Sequence, residues 1–156
     1  QGVTTCDNLS HFGLEMPEFE EADKKRLKEG LPPHAPVPNN PVDFAAGGQD
    51  MLEEVQIIEK IASFDYIDGI ITNLPHEFAF RKSIAERKKA VIDALDVFSK
   101  IPKKYRKPVI TQAMMPSETA TEMLRKARIP MCSTPLESVL AMYGLAKYAE
   151  IRNRGI

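Results

Sequence analysis

Chemistry needs groups that move protons, hold metals or cradle anions, and this sequence offers few of them at workable spacing. Its three histidines, His11, His34 and His76, are scattered, and its two cysteines, Cys6 and Cys132, lie far apart without ligand-like spacing. No nucleophile stands beside a base, and no constellation has the spacing of a metal centre, so no catalytic nucleophile and no metal site are expected. Each histidine reads first as a surface or capping residue. His76 is the least bland, because it follows an apolar strand pattern. What remains is anion recognition. Gly2 opens a helical pattern, and Gln1-Gly2 has the form of a remnant of a phosphate-cradling glycine motif, in which helix-start amides meet a phosphate. The basic run Lys103-Lys104-Tyr105-Arg106-Lys107 reads as a solvated turn before a strand rather than as a phosphate contact. The cluster Met114-Met115, with Met123, Met131 and Met142, reads as core filling.

The elements that must position such groups follow from periodicity. Residues 66–74 are rich in β-branched side chains and apolar on both alternating faces at Ile70 and Ile71, and Pro75 closes them. A strand of that kind needs cover above and below, which predicts a central parallel strand between helices. Upstream, residues 2–12 carry Val3, Cys6, Leu9 and Phe12 at helical spacing, with Gly13 as the stop. Pro17 opens a second predicted helix, acidic at its start and basic at its end, which complements the helix dipole and reads as a solvated surface helix. Five prolines in residues 31–41 predict an extended surface segment. Residues 39–44 predict a short strand, and Leu52, Val55, Ile58 and Ile61 form the stripe of a helix. A long helix over 83–100, with Ile84, Val91, Leu95 and Phe98 inward, leads to a strand at 107–113. Ala120, Met123, Leu124 and Ala127 mark the next helix, and 129–133 a last short strand. Thr134-Pro135-Leu136-Glu137 is a strong helix start: Thr as cap, Pro at the first position, Glu at the third. The final helix is expected to bury Leu136, Val139, Leu140, Tyr143, Leu145 and Ala146.

Alternation of this kind predicts an α/β fold with a parallel sheet covered on both faces. Ligands of such sheets gather at the carboxyl ends of the strands. That rule marks the loops bearing Asn40, Pro41, Val42 and Asp43; Asn73, His76 and Glu77; Gln112; and Thr134.

The chain has 156 residues, the size of one domain, and its 43% apolar share supports a core. A net charge of −1 provides no global field for nucleic acid or an anionic membrane. No apolar run approaches the ~20 residues of a membrane span. Two unpaired cysteines fit a reducing cytoplasm. The first residue is Gln rather than Met, which predicts a fragment of a longer protein.

Several strings together resemble the ADP-forming acyl-CoA synthetases. Gly2-Val3 with Asp7 four residues later, then Phe12-Gly13-Leu14-Glu15-Met16-Pro17, is similar to the helix and turn that follow that family's glycine loop. Leu31-Pro32-Pro33, Asn40-Pro41-Val42-Asp43, Ile129-Pro130 and Thr134-Pro135-Leu136-Glu137 resemble further family strings, with Leu136 displacing the last Glu by one. The resemblance covers nearly the whole chain and one domain. It implies a flavodoxin-like (Rossmann-like) three-layer αβα domain, similar to the carboxyl-terminal ligase domain of succinyl-CoA synthetase. The family's first strand and a Thr-Asn-x-Gly-Gly-type loop stand before Gly2 and are missing from this sequence. The strand's slot lies between those of the predicted Val42 and Ile70 strands, and upstream residues or an associating partner are expected to fill it.

The resemblance further implies that the parent enzyme makes an acyl-CoA from a carboxylic acid, CoA and ATP, with Mg, through an acyl phosphate and a phosphohistidine. This domain would present a helix N-terminus at Gly2 and Val3 to the phosphohistidine loop, binding no cofactor itself. Its partners would be the CoA-binding, phosphohistidine and ATP-grasp domains, with a homo-oligomer also open. The alternative is a regulatory or binding domain of an acetyltransferase-fused, ligase-like protein. A third reading is a free-standing domain that binds a small anion or a partner, without flavin.

Overall fold

A computed structural model describes residues 2–44, 51–73, 84–113 and 116–154. The order is α1 (Gly2–His11), α2 (Glu21–Lys28), α3 (Met51–Ala62), β1 (Ile70–Asn73), α4 (Ile84–Tyr105), β2 (Val109–Gln112), α5 (Glu118–Ala127), β3 (Met131–Cys132) and α6 (Pro135–Asn153). The three described strands run parallel in the order β1-β2-β3, with Asn73 opposite Gln112 and Gln112 opposite Cys132. Helices α3, α4 and α5 pack side by side, while α6 lies on all three strands with α1 against it. The fold is therefore the expected α/β architecture with a covered parallel sheet.

The larger core lies on the α3–α5 side. Val55, Ala94, Leu95, Phe98, Ile101 and Leu124 are completely buried there, in agreement with the stripes read for α3, for α5 and for α4 from Val91 onward; the Ile84 side chain lies outside the described ones. Alternation along β2 sends Ile110 and Gln112 to one face and Val109 and Thr111 to the other. All four are buried. The Thr111 hydroxyl has no hydrogen-bond partner among the described residues.

Several expectations are corrected. Within the described sheet the middle strand is β2, and β1 lies at an edge and starts at Ile70 rather than Tyr66 because Ile67 N–H turns back to the Phe64 carbonyl. Residues 39–44 form no strand. Pro38 and Pro41 remove ladder donors there, and the Asn39 and Asn40 side chains bind backbone at Phe19 and Pro17 instead. Helix α2 starts at Glu21, not Pro17, because Phe19 is drawn into the core against Phe64 at 5.8 Å. Its buried face is anchored too, by Leu27 and by Asp23, so it is more than a solvated surface helix. Helix α4 runs through Pro102 to Tyr105, so most of the basic run is helical. Its last turns are held by buried Ile101 and by Lys104 donating to Glu59 of α3 at 2.7 Å. Lys107 then donates to the Ala62 and Phe64 carbonyls at 3.0 and 2.6 Å, closing the end of α3.

The proline-rich stretch is not simply exposed. Leu31 and Ala35 enter the core, Ala35 N–H returns to the Pro32 carbonyl, and Lys28 donates to the Ala35 carbonyl.

Candidate functional site: the carboxyl ends of the strands

The parallel register sets Asn73, Gln112 and Cys132 in a row across one end of the sheet. Two helices begin beside that row. Thr134 caps α6 as its sequence predicts: its Oγ1 accepts from Glu137 N–H at 3.2 Å, and Glu137 Oε2 accepts from Ser133 and Thr134 N–H at 2.8 and 3.3 Å. Both halves of the capping box are present, with Pro135 opening the helix.

Gln112 joins this end to α1. Its Nε2 donates to Thr5 Oγ1 at 2.9 Å and to Ser138 Oγ at 2.7 Å. Ser138 Oγ in turn donates a hydrogen bond to the Pro135 carbonyl at 2.7 Å. All three side chains are buried. One carboxamide thus ties the sheet to the first turns of both α1 and α6. Gly2 and Val3 are exposed at the start of α1, and no acidic residue stands in that first turn. Leading amides of a helix have no intrahelical acceptor and carry the positive end of its dipole.

Of the residues marked by the sequence, Asn73, Gln112 and Thr134 share this sheet end, and Gly2 and Val3 join it through Thr5. Asn40, Pro41, Val42 and Asp43 do not lie at a strand end, because no strand forms there; Asn40 reaches the Pro17 carbonyl, and Val42 packs beside the α3–α5 core. His76, Glu77, Gln1, Met114 and Met115 lie outside the described residues. Thr5 and Ser138 were missed. Nothing in their sequence neighbourhood marked them, and their role became legible only when both met Gln112.

Both cysteines are unpaired, and burial pushes both thiols above their ordinary range, with Asp7 adding to the effect at Cys6 and Glu137 at Cys132. They are protonated at neutral pH and weak nucleophiles. Among the described residues no group of histidine, cysteine and carboxylate side chains is placed to hold a metal, and no helix is long and apolar enough to cross a membrane.

No protein-family model matches the chain. It is 30% identical, over 99% of its length, to the alpha subunit of an ADP-forming acetate–CoA ligase II from Pyrococcus furiosus, and it spans 33% of that relative. The fold superposes on PH0766 from Pyrococcus horikoshii OT3 with a TM-score of 0.76 at 28% identity, covering 99% of this chain and 34% of that one. A dinucleotide-forming acetyl-coenzyme A synthetase 1 from Ca. Korarchaeum cryptofilum shares the fold with a TM-score of 0.68 at 22% identity, over 97% of this chain and 32% of that one. The chain thus spans about a third of each of these three relatives. Along its whole length it resembles about a third of an ADP-forming acetate–CoA ligase alpha subunit, in agreement with the resemblance its motifs carry.

Proposed function

We propose that this chain is the flavodoxin-like domain of an ADP-forming acyl-CoA synthetase. The observation that carries the reading is the match of essentially the whole chain to one third of an acetate–CoA ligase alpha subunit. In the proposed reaction ATP phosphorylates a histidine and leaves as ADP. The phosphoryl group passes to a carboxylate, giving an acyl phosphate and freeing the histidine. The CoA sulfur then attacks the acyl carbon, forming the thioester and releasing phosphate.

This chain's part is to hold the phosphoryl group in transit. The leading amides of α1 and the positive end of its dipole stabilise an anion. The phosphorylated histidine, the CoA-binding and ATP-grasp domains, and the Mg that accompanies ATP belong elsewhere in the parent, which works in the cytoplasm. The domain alone has no turnover.

The test is acyl-CoA formation by the full ligase, with the phosphoryl-accepting histidine intact and replaced by Ala. Loss of both phosphoryl-enzyme and activity is expected on replacement. Unchanged activity overturns the mechanism.

A further inference from the structure

Gln112 invites a question that stability alone does not answer. A fully buried strand end packs as well with Leu or Met, and dispersion between apolar groups has no preferred direction. Here the chain instead buries one carboxamide and two hydroxyls where α1, α6 and β2 converge. The proton order is fixed. The two amide hydrogens go to Thr5 and Ser138, and Ser138 spends its own on the Pro135 carbonyl. Thr5 and Ser138 each stand three residues beyond the first residue of their helices. The bonds therefore clamp the very turns that carry the leading amides. Helix α1 packs chiefly on α6, where Phe12 meets Tyr143 at 5.6 Å; Thr5 is its buried residue, and Val3 is 76% exposed.

We propose that Gln112 is a positioning residue for phosphoryl transfer: by binding Thr5 and Ser138 together it sets where the α1 N-terminus points. The proposal rests on the function given above and adds to it the device that aims the helix. Misplacing a stabilising group by ~1 Å costs on the order of a hundredfold in rate. A directional clamp at the root of the helix is the means to avoid that slip.

The experiment uses the full-length ligase and compares Thr5→Val, which keeps the shape and removes the acceptor, with Thr5→Ser, which keeps the acceptor. Gln112→Met and Ser138→Ala complete the series. Phosphoryl-enzyme formation from labelled ATP is measured with the KM values for acid and CoA, and melting is followed by circular dichroism. Thr5→Val and Gln112→Met should slow phosphoryl-enzyme formation by about ten- to a hundredfold, with both KM values unchanged. Thr5→Ser should stay within about twofold of the parent, whatever its melting temperature. Equal rates for the Val and Ser variants overturn the clamp, and so does a loss of rate that simply follows loss of Tm. The parallel Ala replacement of the accepting histidine keeps the two ideas apart. If label persists there, the reaction assigned above fails. If label vanishes there while Thr5→Val is harmless, only the clamp fails.

Discussion

Single side chains decide more here than their charge suggests. Tyr66 donates its hydroxyl to Asp23 Oδ2 at 2.9 Å and accepts from Glu20 N–H at 3.3 Å, tying the start of α2 to the turn before β1. Burial, followed by the bond to Asp23, pushes its phenol above the ordinary tyrosine range. The protonated form is thus the one the fold favours. Its contribution to stability is complete below the unfolded value near ~10 and disappears as pH rises through the higher folded value. Tyr66→Phe should lower stability at neutral pH and flatten the alkaline limb, seen as urea midpoints between about pH 9 and about pH 11. A parent whose midpoint falls no faster than the variant's over that range would sink the assignment. The same scale marks a limit of sequence reading. Gln112 was placed at a strand end from the β pattern alone, whereas Thr5 and Ser138 gave no cue until three elements converged.

Elements were legible where their signals are local. The capping box of α6 was readable letter by letter, because a Thr cap, a leading Pro and a third-position Glu act within one turn. Thr134→Ala should destabilise the domain by ~1 kcal/mol, a drop of about 2–4 °C in Tm on thermal melting. No change would show that the first turn of α6 is held by packing alone. The apolar stripes of α3, α4 and α5 were equally readable, since each faces one continuous core. Strand 39–44 was not, for β structure depends on a partner, and the Asn39 and Asn40 side chains tie this segment to the backbone of Phe19 and Pro17 rather than to a strand. The end of α4 was missed for a similar reason. Pro102 argues locally for a stop, while Ile101 and Glu59 supply distant contacts that carry the helix past it.

At the scale of the molecule, the expectation that α6 buries Leu136, Leu140 and Leu145 is corrected. They are 45%, 44% and 43% exposed, and Val139 is the buried apolar residue. Leu136, Leu140, Gly144, Tyr148 and Ile151 recur every three or four residues along one outward stripe, with open space around Gly144. Apolar residues on both sides of a helix mark one that is meant to be covered. The isolated domain should therefore self-associate in sedimentation velocity, and Leu140→Lys with Ile151→Lys should return it to a monomer with unchanged Tm. A parent chain that stays monomeric at high concentration would show that water tolerates the stripe. The capped start of α6 has one more consequence. Glu137 fills that helix mouth with a carboxylate of the chain's own, while its neighbour α1 starts without an acid. On the function proposed above, a visiting anion would meet a carboxylate at α6 and none in the first turn of α1, so the two helix starts would receive it unequally.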